Sequence, residues 1–283
     1  MGAAILFICL FGLLALSVPV GFALGISSLV YLVFEQGAPI MAAMQRVVVA
    51  SDSFSLMALP LFIISGNLMC DGGISKRLIN FIDALIGWAR GGLAIVTTVA
   101  CAFFGAISGS NTATTAAIGS IMIPGMKDKN YDTDFAAAVT ASSGVLGAII
   151  PPSLMMISYG TVTGASIGSL FMGGVIPGIM CALSMCIVSY IICRKKGFVS
   201  GDKFSWRRLG VSFVDAILAL LMPVIVLGGI YGGLFTPTEA AAVACIYCFI
   251  VAMFIYREIS WKDLPRILID SMKTSSGIML LVC

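Results

Sequence analysis

The chain has 283 residues, 60% hydrophobic and only 10% charged, with a net charge of +3 and no histidine. Soluble domains carry about 25% charged residues, so this is an all-α polytopic membrane protein. Imidazole catalysis and histidine metal ligation are excluded, and the small positive charge is that of juxtamembrane lysine and arginine, not of a nucleic-acid surface. The nine cysteines sit almost wholly in apolar stretches, so Cys245 and Cys248, although spaced as C-x-x-C, read as small buried residues.

Apolar segments fall near 3–34, 54–70, 93–126, 133–163, 168–193, 211–233 and 237–256. The first has no basic region before it and is too long for a signal-peptide core, so it is membrane-embedded. As one helix of about 32 residues it would extend roughly 48 Å. Pro19 in its middle would kink or divide it, and the number of crossings stays open. Residues 74–85 are amphipathic, with Leu78, Ile82 and Leu85 on one face, and predict an arm-like helix at the membrane surface.

The most informative stretch is Ser108-Gly109-Ser110-Asn111-Thr112-Ala113-Thr114-Thr115, a polar turn in a sequence uncharged from Gly91 to Met126. Each flanking limb, about 15 residues, reaches roughly 22–24 Å as a helix, short of the bilayer's hydrocarbon core of about 30 Å. Two such limbs predict a re-entrant hairpin whose tip stops inside the membrane. Irregular backbone at that depth must be buried in protein or line a wet cavity, which makes Ser108, Gly109, Ser110, Asn111, Thr112 and Thr114 candidate substrate or ion ligands. The alternative is one long helix with a hydroxyl-rich packing face.

A second break is predicted in 133–163, at Gly147-Ala148-Ile149-Ile150-Pro151-Pro152-Ser153. Two prolines remove two amide donors and disfavour the α region before the second. The half-helices would expose carbonyls suited to Na⁺ and amides suited to a carboxylate. Gly147, Ile150, Pro151, Pro152 and Ser153 are therefore binding candidates, against the alternative of a satisfied proline kink. Thr140, Ser142 and Ser143, one to three turns earlier, rank second. Na⁺ is expected at Ser108, Ser110, Asn111 and the backbone near Gly147–Pro151, with no organic cofactor.

Arg194, Lys195, Lys196, Lys203, Arg207 and Arg208 form a basic loop that the positive-inside rule places in the cytoplasm. Two spans separate it from Lys127 and Lys129, which with Lys76, Arg77 and Arg90 bracket the hairpin, so the hairpin is expected to enter from the cytoplasm. Thr236-Pro237-Thr238-Glu239 predicts a capping box opening a helix and not an acid site. Asp215 is expected at the interface. The lack of a deep acidic residue favours Na⁺ held by neutral oxygens over a proton relay.

The order of features repeats weakly: 15–25 is similar to 219–229, and 74–85 to 259–270, where Leu264, Ile267 and Leu268 share a face. Chance similarity of apolar segments is the alternative. The second repeat reaches only a new apolar limb after Lys273.

Together "SGSNTATTAAIGSIMIPGM", "GAIIPPS", "ISYGTVTGASIGSLFMGGVIPG" and "GGLFTPTEAAAV" resemble the large membrane subunit of the tripartite ATP-independent periplasmic (TRAP) transporters over nearly the whole chain. The resemblance implies an inverted-repeat, elevator-type transporter with re-entrant helical hairpins, the second repeat being incomplete here. It implies a sodium-driven importer of small carboxylates in a bacterial inner membrane, with a small four-helix membrane subunit and a periplasmic substrate-binding protein as partners. In those terms the chain divides into scaffold helices (1–72), an arm-like helix (73–90), hairpin 1 (91–127), a broken helix and following span (131–193), the basic loop (194–210), and scaffold, arm and the start of hairpin 2 (211–283). Many relatives carry an acidic residue shortly after the turn. Thr114 and Thr115 stand there, so the substrate does not carry over. Ser110-Asn111-Thr112 also resembles the turns of divalent-anion/sodium symporters, the alternative class. An intramembrane enzyme lacks a serine–lysine or carboxylate pair in the membrane, and a purely structural subunit leaves two buried polar breaks unexplained.

Overall fold

Proline, glycine and the polar joints cut the apolar sequence into helices of bilayer scale. The computed structural model describes residues 2–37, 39–89, 91–198 and 204–282; Arg90, Asp202 and Lys203 lie outside them. Among the described residues there is no strand. The first apolar stretch is divided and not merely kinked. Helices α1 (Gly2–Ala15) and α2 (Val20–Gln36) pack against each other, and Pro19, which has no amide to continue α1, caps α2. Then follow α3 (Ile40–Ser51), a 3₁₀ turn (Phe54–Met57) and α4 (Ala58–Asp71).

The amphipathic helix is α5 (Ile74–Ile86). It buries Ile74, Leu78, Ile79 and Ile82, but in its last turn the buried residue is Ala84, and Leu85, expected on the buried face, is 42% exposed. Helices α6 (Gly92–Ser108) and α7 (Asn111–Asp128) pack against each other as a hairpin, so the long straight helix is not formed. The next segment is broken into α8 (Thr133–Gly144), α9 (Leu146–Ile149) and α10 (Leu154–Thr163). Two long helices, α11 (Ile167–Lys196) and α12 (Trp206–Tyr231), lead to α13 (Pro237–Ile250), which continues through a π-helical turn, Val251–Ile255. The last helix is α14 (Leu264–Val282). It runs without interruption past Lys273, where a new limb was expected. The hydroxyls of Thr274 and Ser276 bond back to the carbonyls of Asp270 and Lys273, so that polar stretch is accommodated within the helix.

The core is centred on α4, which packs on α13, α14, α6 and α5. Leu59, Phe62, Phe104 and Ile107 are fully buried there. Polar ties join this early part of the chain to the late part: Asn67 donates to Ser271 Oγ at 2.8 Å, Arg77 pairs with Glu258 at 2.6 Å, and Arg266 with Asp71 at 3.1 Å. A smaller cluster of Ala94, Met126, Tyr131, Ala136, Val139 and Cys193 closes the base of the hairpin, with Tyr131 stacked on Phe198. At this end Lys196 pairs with Asp132 and Arg208 with Asp83, so the hairpin base, the end of α11 and the start of α12 lie together.

Five helical stretches among the described residues are long and apolar enough to cross a bilayer: Phe54–Asp71, Thr133–Thr163, Ile167–Lys196, Trp206–Tyr231 and Pro237–Ile255. The most apolar window of Ile167–Lys196 is only 11% buried, a surface that requires lipid or another apolar partner. This is a multi-pass membrane protein.

Asp215 is exposed near the start of α12. The capping box forms as expected: Thr236 Oγ1 accepts from the Glu239 amide at 3.3 Å, and Glu239 Oε2 accepts from the Thr236 amide at 2.7 Å. Thr236→Ala removes one half of that exchange and should cost about 1 kcal/mol, with Thr236→Ser close to the parent. Unfolding of the detergent-solubilised protein measures this, and an unshifted alanine variant would contradict the capping role.

Candidate functional site

The hairpin turn and the helix break meet. Gly109 ends α6 with φ 63, a left-handed conformation that glycine adopts without penalty, and Ser110 then turns the chain into α7. Ser110 (φ −125, ψ 127) and Ser153 (φ −124, ψ 128) are N-caps of the same geometry, the first accepting from the Ala113 amide and the second from the Met156 amide. Pro151 and Pro152 interrupt the second helix, and Ser153 Oγ spans the gap by donating to the Ala148 carbonyl at 2.6 Å. Two helix C-termini, of α6 and α9, therefore lie against two helix N-termini, of α7 and α10.

The contact is backbone on backbone. The Leu154 amide, the first of α10, donates to the Gly109 carbonyl at 3.0 Å. A Cβ on Gly105 would sit 2.6 Å from Gly147 Cα, and one on Gly147 would sit 2.7 Å from the Ser110 carbonyl oxygen and 2.5 Å from Thr114 Oγ1. Gly144 abuts Thr115 in the same way. Only residues without side chains allow this approach. Gly105 was missed in the sequence, although Gly105 and Gly109 stand in the G-x-x-x-G spacing of close helix contacts.

The candidate residues divide by accessibility. Ser108, Thr114, Thr140, Ser143, Pro151, Pro152 and Ser153 are buried, and the hydroxyls of the five serines and threonines are used within the protein. Ser108 Oγ and Thr114 Oγ1 are 3.1 Å apart, Thr114 also donates to the Ser110 carbonyl, and Thr140 to the Ala136 carbonyl. Ser143 Oγ meets Thr98 Oγ1 at 2.9 Å, a buried pair across helices that brings in a residue the sequence did not single out. Ser142 is exposed and bonds its own helix through the Val139 carbonyl.

Ser110, Asn111 and Thr112 are open. With Gly109 they line a cavity of about 310 Å³ whose other walls are Ala148, Leu154, Met155 and Ser158 and, from α14, Ile278, Leu281 and Val282. Ile150 is half-buried beside the break and Gly147 is buried beneath it. Asn111 Oδ1 accepts from the Thr112 amide at 2.8 Å, and Ser110 Oγ and Thr112 Oγ1 are 3.1 Å apart. Among the described residues its Nδ2 has no hydrogen-bond partner.

The site holds no formal charge. Its chemistry is that of hydroxyl and carbonyl oxygens at helix C-termini and of amides at helix N-termini, the donor set that a hard cation and a carboxylate respectively accept. Among the described residues no three His, Cys, Asp or Glu cluster where a metal could sit, so neutral oxygens are what the site offers a cation.

Gly147→Ala should force the hairpin from the break and cost about 1–3 kcal/mol by overpacking. Gly105→Ala meets the same backbone, so the double variant should lose less than the sum of the two. Unfolding of single and double variants tests this, and strict additivity would contradict a shared contact.

Residues 7–283 match the family described as "Tripartite ATP-independent periplasmic transporter, DctM component". The chain is 44% identical over 259 residues to the C4-dicarboxylate TRAP transporter large permease protein DctM of Vibrio cholerae, covering 91% of this chain and 57% of that protein. It is 38% identical over 271 residues to the sialic acid TRAP transporter large permease protein SiaM of the same organism, covering 96% and 64%. It is 41% identical over 278 residues to the isethionate TRAP transporter permease protein DctMQ of Oleidesulfovibrio alaskensis, covering 96% and 44%. The chain thus spans about half to two thirds of the length of these relatives. With the helical hairpin docked on a broken helix and the family match along almost all of its length, the chain belongs to the DctM component family of the TRAP transporters.

Proposed function

We propose that the protein is the membrane permease subunit of a sodium-coupled secondary importer of small organic acids, receiving its substrate from a periplasmic binding protein. The observation that carries this reading is the uncharged junction of four helix ends around Ser110, Asn111 and Thr112. It offers the positive ends of α7 and α10 and the Asn111 nitrogen, unpaired among the described residues, to a carboxylate, and hydroxyl and carbonyl oxygens to Na⁺. The relatives are named for C4-dicarboxylate, sialic acid and isethionate, all organic acids that carry negative charge at neutral pH. Ser108, Ser110, Asn111 and the backbone near Gly147–Pro151 are the proposed Na⁺ ligands. A small four-helix membrane subunit completes the assembly in the bacterial inner membrane.

The basic residues gathered near Asp132 and Asp83 mark the cytoplasmic end under the positive-inside rule. The hairpin then enters from the cytoplasm and is re-entrant, its tip at mid-membrane. Movement of the hairpin and broken helix as one elevator-like body against the core around α4 would carry the site across the bilayer. The backbone bonding between the two makes them a natural single body.

In vesicles holding the complete transporter, uptake should collapse when K⁺ replaces Na⁺ and should not require ATP. Asn111→Ala should weaken substrate or Na⁺ affinity roughly ten- to a hundred-fold, the loss of a charge-assisted bond of about 1.5–3 kcal/mol. Replacing Pro151 and Pro152 together by alanine should instead lower uptake at every substrate concentration. Undiminished uptake in K⁺ would sink the sodium coupling. Parent-like uptake by both variants would reduce the two breaks to packing features.

A further inference from the structure

A second cavity, of about 490 Å³, lies away from the hairpin turn. One wall is Ala113, Ala116, Ala117, Ser120 and Ile121, a stripe that begins in the first turn of α7 and descends toward its base. The opposite wall is Asn67, Cys70, Asp71, Gly73, Ser75 and Lys76 at the α4–α5 junction, together with Glu258. This volume is within the roughly 300–1,000 Å³ typical of small-molecule sites.

Its charges do not cancel. The Glu258 carboxylate lies over Gly73 and is held by Arg77, and Asp71 is held by Arg266. Among the described residues Lys76 has no partner, so one positive charge is uncompensated. Ser75 is 4% exposed and its hydroxyl is buried without a hydrogen-bond partner. The first amides of α5, to which both residues belong, carry no side-chain cap. A small anion complements the Lys76 ammonium and gives the Ser75 hydroxyl an acceptor, whereas a cation is repelled by Lys76.

We propose that this vestibule is a second binding site, where Lys76 and Ser75 receive a small carboxylate or sulfonate as it passes between the hairpin tip and the basic end of the protein. The proposal rests on the transport reading for the identity of its occupant, but not for its preference for anions. Ala113 belongs to the first turn of α7, which begins at Asn111, so this cavity starts within one helix turn of the tip. The alanine stripe offers the anion no competing polar group except Ser120, whose hydroxyl already bonds the Ala117 carbonyl.

The test uses the intact subunit in nanodiscs with its native cysteines replaced and Ser120→Cys introduced. Its reaction is followed with a sulfonate-bearing and a trimethylammonium-bearing methanethiosulfonate, each rate normalised to that of a small thiol in solution. The sulfonate should be favoured, and Lys76→Gln should lower its relative rate by roughly two- to five-fold, the range expected of one exposed charge. Lys76→Arg should restore it. A ratio unchanged by Lys76→Gln, or one favouring the ammonium, would overturn the proposal. The preference should be the same in phosphatidylcholine and in phosphatidylglycerol nanodiscs. Its disappearance in phosphatidylglycerol would assign the site to a lipid headgroup and overturn the substrate route.

In vesicles, Lys76→Gln should reduce maximal uptake with less effect on the half-saturation point. Normal uptake in Lys76→Gln beside impaired uptake in Asn111→Ala would remove this site from the route and leave the tip assignment standing. A Lys76-dependent ratio beside parent-like Asn111→Ala would keep the anion site and remove the tip assignment.

Discussion

The bond from the Leu154 amide to the Gly109 carbonyl, and the glycine contacts around it, fix how the remainder of the structure is arranged. Each turn alone is an apolar helix interrupted by unsatisfied backbone. A helix end leaves about four amides or carbonyls without intrahelical partners, and in a bilayer each such group costs several kcal/mol. Opposed, the ends of α6 and α10 satisfy one another, and Ser110 and Ser153 cap the two new helices with the same geometry. This needs backbones at contact distance, hence Gly105, Gly144 and Gly147. The residues that make the junction possible bear no functional groups, and the groups left over at its edge, on Ser110, Asn111 and Thr112, are the ones a ligand can reach.

The surrounding helices follow from that junction. Ser108 lies against Gly66 of α4, so the turn is carried on the helix around which the core is centred. Interactions between distant parts of the chain then hold α4 and α5: Asn67 with Ser271, Asp71 with Arg266 and Arg77 with Glu258. The two ion pairs are partly exposed and contribute little stability individually. Their consequence is electrostatic, because they neutralise both carboxylates beside α7 and leave Lys76 as the unbalanced charge there.

How far the sequence can be read depends on the kind of interaction involved. The hairpin, the break and the capping box at Thr236 rest on local backbone chemistry, namely a glycine that takes a positive φ, two adjacent prolines and a threonine–glutamate exchange, so the residues name the structure directly. The meeting of hairpin and break does not follow from local chemistry, since it joins residues such as Gly105 and Gly147 that are silent in isolation. For the same reason the sequence does not reveal that the hydroxyls of Ser108, Thr114 and Ser153 bond groups inside the protein. The division of the first segment at Pro19 could be posed but not resolved, because kinked and divided helices share the same sequence signal. The continuity of α14 past Lys273 was hidden by a polar stretch whose hydroxyls bond within the helix. Lys76 reads in the sequence as one of several juxtamembrane charges, and only the pairing of Arg77 with Glu258 and of Arg266 with Asp71, between distant residues, sets it apart.

The proposed function requires Ser110, Asn111 and Thr112 to face a water-filled site that communicates with the cytoplasm and binds Na⁺. The most direct measurement is the reaction of Thr112→Cys, in an otherwise cysteine-free protein, with a membrane-impermeant thiol reagent applied separately to each face of oriented vesicles. Reaction from the cytoplasmic face, at a rate that changes when Na⁺ replaces K⁺, is the predicted result. Reaction only from the periplasmic face, or a rate indifferent to Na⁺ from either side, would contradict it.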